Sequence, residues 1–428
     1  MGIHDRRDTH LHESEGNASG ERQPALKRSL SLPLLTFYGL GNILGAGIYV
    51  LIGKVAAHAG YQAPLSFLLA AMLAVFTAFS YAELSARYPF SAGEVIYIHR
   101  GLGTRVLSIL VGLLIIVTGI VSAATIARGF VGYLQVFVPI SDVVAIVGLI
   151  VCLGGLAAWG ISQSIAVATL MTLVEIGGLL LIIWVARPEM GALADTLRSL
   201  SDWQGLDSAQ GIFLGAFLAF FAFIGFEDMV NVAEEVHKPQ RTLPLAILLA
   251  LGLSTLIYIT VAVVSIGAVS PQQLAASEAP LAYVYQQVRG ADPVLITAIS
   301  LVAVVNGALI QIIMASRVCY GMGRKGWMPM WLARVNPVTR TPLVATVLIT
   351  AVILMMALWL PIESLARSTS FFILLVFALI NLSLWRIKQL RLDEHEGFSV
   401  YQWVPALGAF GSLLFVVLQL LTASSGSR

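Results

Sequence analysis

Residues 36 to 53 read TFYGLGNILGAGIYVLIG, an apolar run that carries Gly39, Gly41, Gly45, Gly47 and Gly53 with Asn42 among them. Each interior glycine costs a helix roughly 1 kcal/mol relative to alanine. A cluster this dense therefore reads in one of two ways. Either the helix opens in its middle, or its small residues let neighbouring membrane helices approach closely. An opened helix exposes backbone N–H and C=O groups, which hydrocarbon tolerates only where they line a protein cavity or bind a ligand. The freed N–H groups attract an anion and the freed carbonyls a cation, which together would hold a zwitterion.

The rest of the chain supplies the setting. Of 428 residues, 58% are hydrophobic and 11% charged, and the mean hydropathy is +0.87. Apolar runs long enough to cross a bilayer, about 20 residues each, recur along nearly the whole length. The chain thus reads as an all-α polytopic membrane protein. Its two cysteines, Cys152 and Cys319, both lie in apolar runs and build neither a disulfide framework nor a metal cluster. Residues 1 to 33 read as a polar, disordered tail without a signal-peptide core. His4, His10 and His12 in that tail have metal-compatible spacing but read as solvated.

Eleven spans are expected, at about 34–57, 64–86, 105–134, 142–159, 162–186, 211–235, 243–268, 293–322, 342–360, 363–387 and 402–422. With the N-terminus in the cytoplasm, only Lys54, Arg128, Arg187, Arg198, Arg289, Arg367 and Arg428 of the 25 Lys and Arg fall outside, as the positive-inside rule requires. The C-terminus is then external. Residues 89–103 read as a short amphipathic helix on the inner membrane surface, and 269–292 as an outer lid. The polar loop 187–210 splits the chain into two groups of five spans, 34–186 and 211–387. The remainder, 388–428, carries the eleventh span. Each group opens on an interrupted span: the glycine-rich run in the first, and Ala222-Phe223-Ile224-Gly225-Phe226-Glu227-Asp228 in the second. Broken spans at matching positions of two halves point to the binding site of a secondary transporter, and an odd number of spans per half inverts the second half.

Intramembrane charges need individual readings, because an acid at a helix centre costs roughly 2.5 to 3.5 kcal/mol. Glu175, isolated in the fifth span, reads as a proton site or cation ligand, or else as a protonated acid bonded to a neighbouring helix. Glu227 and Asp228 adjoin the second break and suit gating or support of unwound backbone; Asn42 belongs with them. Glu83 reads as paired with an inner arginine, and Glu234 and Glu235 as an inner-face charge network. Asn306 and Gln311 either complete a cation or proton site or bond between helices. Phe220, Phe221, Phe223 and Phe226 either wall a substrate pocket or face lipid. No HExxH, GxSxG, Walker-type or CxxC pattern occurs, which argues against an enzyme and against nucleotide-driven transport.

These residues resemble the amino acid-polyamine-organocation superfamily, most of all its cationic-amino-acid-transporter-like bacterial permeases. The resemblance rests on GLGNILGAGIY at 39–49, SYAELSARYP with SAGE at 80–94, AFIGFE running into EEVHKPQRTLP at 222–244, and 317–326 with Arg340-Thr341-Pro342. It implies a five-plus-five inverted repeat of leucine-transporter type with broken spans 1 and 6 and one extra helix. It also implies a substrate α-carboxylate on Gly45, Ala46 and Gly47, and an α-amine on carbonyls around Ile43 and from Phe221, Ala222, Phe223 and Ile224. Relatives often carry a lysine in span 5 whose ammonium replaces sodium; here that place holds Glu175, with Asn306 near the span 8 part of the same site. Relatives also commonly have twelve spans. Lys54 stands where relatives with cationic substrates can carry an acid.

The expectation is a proton-coupled amino-acid symporter in a plasma membrane, a bacterial inner membrane by this reading. It needs no cofactor beyond a coupling proton or sodium ion and works as a monomer or homodimer without nucleic acid. An ion-independent exchanger and a non-transporting amino-acid sensor are the alternatives.

Overall fold

The computed structural model describes residues 26–135, 137–187, 206–277, 279–359, 363–392 and 397–425. Among them the elements are helical apart from a single β-bridge between Leu30 and Val236. The helices are α1 (Leu32–Ala59), α2 (Ala63–Arg87), α3 (Gly93–Leu102), α4 (Arg105–Gln135), α5 (Asp142–Trp159), α6 (Ile161–Ala186) and α7 (Leu206–Phe223). A 3-10 segment (Glu227–Glu235) follows α7, and then come α8 (Pro239–Ala268), α9 (Pro271–Ala276), α10 (Pro280–Arg289), α11 (Val294–Arg324), α12 (Leu343–Trp359), α13 (Glu363–Leu390) and α14 (Trp403–Ser425). Nine stretches among the described residues are long and apolar enough to cross a membrane, and Leu343–Trp359 and Trp403–Leu418 are shorter apolar helices. Prolines start several helices at positions where no N–H is needed, as in α1, α2, α8, α9 and α10.

The packing follows the repeat. α1 packs on α7, α2 on α8, α4 on α11 and α5 on α12, so each of the first four spans lies against its counterpart five spans later. α6 contacts both α1 and α11, and α14 lies on α13 and α2. The eleventh span is therefore part of the helix packing, although it stands outside the repeat. Gly408 and Gly411 let it close on Asn381 and Leu73, and Phe415 meets the rings of Phe213, Phe217 and Phe220.

Arg87, Arg317, Arg324 and Lys388 gather at one end of the bundle, called here the basic end, and order it. Glu83, fully buried, accepts from Arg87 at 2.6 Å, from Lys388 at 2.8 Å and from the Val400 N–H at 2.7 Å, tying α2 to α13 and to the approach of α14. Arg317 and Glu235, both fully buried, pair at 3.1 Å, and Arg324 meets Glu234 at 2.8 Å.

Two expectations are corrected here. The segment 89–103 does form a helix, α3, but Gly93 to Ile98 are buried in the bundle rather than laid on its surface. It packs on α4 and α13, so protein rather than the membrane surface meets its apolar residues. The tail assigned to residues 1–33 also ends earlier. Leu26 and Leu30 are buried, and the N–H groups of Ser29 and Leu30 both donate to the Glu235 carbonyl while His237 N–H donates to Leu30 O. Three backbone hydrogen bonds and two buried leucines fix this strap. The remaining tail, with its three histidines, lies outside the described residues, as does the polar loop over 188–205.

Candidate functional site

Both readings of the glycine-rich run are present in α1, at different glycines. Gly41 is pressed against Thr172 and Asn306, and Gly39 against Met229, so these two serve close approach. Gly45 instead breaks the helix, with φ −11° and ψ −140°, and a Cβ there would meet nothing within 4 Å. Opposite it, α7 ends at Phe223 and the chain turns through Ile224, Gly225 and Phe226 into the 3-10 segment. Gly225 has φ +132°, a conformation only glycine adopts readily, and a Cβ on it would lie 2.9 Å from the Asn42 carbonyl carbon. The two breaks thus touch.

Freed backbone groups find defined partners. The Tyr258 hydroxyl of α8 donates toward Ile43 O and Ala222 O, one carbonyl from each break. Gly225 N–H donates to Glu227 Oε2 at 2.7 Å. Asn42 Nδ2 donates to Gly225 O at 2.8 Å and to Asp228 Oδ2 at 2.6 Å, and Gln311 Nε2 reaches the same Oδ2 at 2.9 Å.

A cavity of about 410 Å³ opens between the breaks, α4, α11 and α13. Ile43, Gly45, Gly47, Phe221, Ala222 and Ile224 line it, as do Asn42, Glu227 and Asp228. Of the four phenylalanines only Phe221 faces it. Phe223 packs edge-on to Tyr258, Phe220 and Phe226 pack on Phe377, and Phe226 also packs on Tyr81. The three therefore form protein core, and the expectation of an aromatic wall is reduced to one ring. The wall opposite the breaks is mainly aliphatic, with Ile115, Ile126, Val304, Ile373 and Val376, interrupted by Thr118, Ser122 and Thr125 of α4. Ala46 follows Gly45 directly in the chain.

Glu94 and Tyr81 also line the cavity, and the sequence reading assigned neither to it. Glu94 Oε1 accepts from Asn231 at 3.2 Å, while Glu94 Oε2 and the Tyr81 hydroxyl are buried without a partner among the described residues. Burial pushes the Glu94 carboxyl up to about 8, with Asp228 adding to the rise. Its available signal was an acid set just before the apolar residues Val95 and Ile96. Tyr258 was legible only as one hydroxyl in an apolar span.

Glu175 and Asn306 come together away from this cavity, on the far side of α1. Asn306 Nδ2 donates to Glu175 Oε1 and to Thr172 Oγ1, both at 3.0 Å. Tyr49 donates to the Glu175 backbone carbonyl at 2.8 Å. Glu175, Asn306 and Thr172 are fully buried, and Glu175 Oε2 and Asn306 Oδ1 have no partner among the described residues. Glu83 belongs to the basic end, far from both places. Among the described residues no cluster of His, Cys, Asp and Glu could hold a metal ion.

The amino acid permease family model matches residues 30–428. The chain belongs to the amino acid permease family. Among curated permeases it is 28% identical to the branched-chain amino acid permease BcaP of Bacillus subtilis, over 94% of this chain and 90% of that one. It is 30% identical to the vacuolar cationic amino acid transporter 2 of Arabidopsis thaliana, over 86% of this chain and 61% of that one. Among solved structures, MhsT in complex with L-phenylalanine aligns with a TM-score of 0.65 at 15% identity, over 93% of this chain and 99% of that chain, a likeness that bears on the fold. This permease is an amino-acid transporter and a multi-pass membrane protein, not an enzyme.

Proposed function

We infer that this permease is a proton-coupled symporter of an L-amino acid that works by alternating access around α1 and α7. The substrate α-carboxylate would sit on the N–H groups of Gly45 to Gly47. The α-amine would face the Ile43 carbonyl and the carbonyls of Phe221 to Ile224, where the Tyr258 hydroxyl already bridges Ile43 O and Ala222 O. The basic end is read as cytoplasmic by the positive-inside rule, in a bacterial inner membrane.

One observation carries the coupling. Glu175 is fully buried, and among the described residues no cation pairs with it and one of its oxygens lacks a partner. A carboxylate so placed is costly unless it holds a proton or a bound cation. Its position against α1, beside Asn306 and Thr172, lets the loading of that carboxyl bias the arrangement of the broken helix. Radiolabelled uptake of a panel of L-amino acids into proteoliposomes, with and without an inward proton gradient, tests this. Wild-type accumulation should follow the gradient, and Glu175→Gln should keep exchange but lose accumulation. Gradient-independent uptake that the substitution leaves unchanged would replace symport with ion-independent exchange. Binding without flux would make the protein a sensor.

A further inference from the structure

Three cations meet at the corner where α3 turns into α4. Arg100, near the end of α3, lies over the Tyr88 ring at 5.7 Å, and Lys325, just past α11, lies over the Phe90 ring at 5.1 Å. Arg105, which opens α4, donates to the Gly326 carbonyl at 3.0 Å. All three residues are exposed. His99 stands among them, its ring edge-on to Trp327 at 5.2 Å. Burial, and after it the charges of Arg100, Lys325 and Arg105, hold the His99 imidazole below its usual pKa. Ring and carbonyl contacts orient a cation without cancelling its charge. Among the described residues no carboxylate pairs with any of the three, whereas Glu83, Glu234 and Glu235 at the same end all face other cations.

The corner is open, and it continues into apolar surface. A Cβ on Gly103, between the two helices, would meet nothing within 4 Å. From Arg105 onward the exposed residues Val106, Leu110 and Leu113 follow at helical spacing and form one stripe along α4. The N–H groups of the first turn of α4 have no acceptor within the helix and add to the attraction for an anion. We propose that this corner docks an anionic phospholipid of the leaflet at the basic end, with the phosphate on Arg100, Arg105 and Lys325 and an acyl chain on Val106, Leu110 and Leu113. A free anion would use the cations alone. The apolar stripe that starts at Arg105 is what favours a lipid. Both helices reach the cavity, α3 through Glu94 and α4 through Thr118, so an occupied corner braces two elements of the cavity wall. Neither the coupling ion nor the substrate enters into this docking.

Native mass spectrometry of the purified full-length chain reads the docking without any flux. Dioleoyl phosphatidylglycerol and dioleoyl phosphatidylcholine share their acyl chains, so the wild type should retain the first more tightly through its head group. Arg100→Gln, Arg105→Gln and Lys325→Gln together should weaken phosphatidylglycerol roughly a hundredfold, the combined effect of three cations near an anionic surface, and leave phosphatidylcholine unchanged. Should that triple variant fail to fold, Lys325→Gln alone decides the question with a loss of roughly fivefold. Lys27→Gln, Lys238→Gln and Arg241→Gln together remove the same charge from the strap and from α8, and should leave phosphatidylglycerol binding unchanged. An equal loss in that second variant means diffuse attraction to the whole basic end and overturns the proposal, as does wild-type binding that is equal for the two lipids. Leu110→Asn should also weaken phosphatidylglycerol. Displacement of the lipid by inorganic phosphate, together with no effect of Leu110→Asn, would make the corner a site for a free anion and overturn the assignment to a lipid.

Discussion

At the basic end Glu83 and Glu235 each face a cation, whereas Glu175 and Asp228, deeper in the bundle, receive only uncharged amides from side chains. The first pair are locks. Their charge is compensated on the spot, so their geometry alone matters and they have no call on a ligand. The second pair carry charge that no neighbouring side chain cancels. In a low-dielectric surrounding that leaves two stable solutions, a proton on the carboxyl or a cation beside it. The contrast separates acids whose charge a partner cancels from acids that no charged side chain meets among the described residues.

The largest test of this contrast removes a lock. Arg317→Ala strands Glu235 as an uncompensated buried charge and should cost about 3 to 5 kcal/mol, read as a lowered denaturation midpoint in detergent. A loss below about 1 kcal/mol would mean that the pair is not a lock. Next comes Glu94, whose carboxyl is pushed up to about 8 from 4.5. Its folded value lies above its unfolded one. The folded protein therefore holds a proton that the unfolded chain has released, and stability falls as pH rises from about 4.5 to about 8. The slope is about 1.4 kcal/mol per pH unit. Glu94→Gln should flatten that decline, and a decline that survives the substitution assigns it to another group. The smallest effect belongs to the half-exposed ion pair of Arg324 and Glu234. The Arg324 side chain is 51% exposed, so Arg324→Ala should cost at most about 1 kcal/mol. A cost as large as that of Arg317→Ala would remove the distinction between buried and surface pairs.

Much of this arrangement was legible in the chain. The eleven apolar spans and the two breaks follow from hydropathy and glycine clustering, and Glu175 stands out by the cost of a buried acid, all of which are local or single-residue signals; that Asn306 lies beside Glu175, 131 residues away, was implied by the family resemblance alone. The remaining features depend on partners distant in sequence. Nothing near Leu30 announces Val236, and nothing in the apolar run around Tyr258 announces that its hydroxyl will serve two broken helices at once. α3 was recognised as amphipathic, but its burial depends on the faces that α4 and α13 present to it. For the same reason Gln311 read equally as an ion ligand or a helix-to-helix bond. Its acceptor, Asp228, lies 83 residues away.

Glu83 has a consequence for how the chain is made. Its carboxylate enters the membrane with the second span, and Arg87 follows within a turn. Lys388 lies 305 residues later, and the Val400 N–H lies 317 residues later. During synthesis the acid therefore waits, half-paired, until the tenth span has been inserted, and the bundle cannot settle at this end before then.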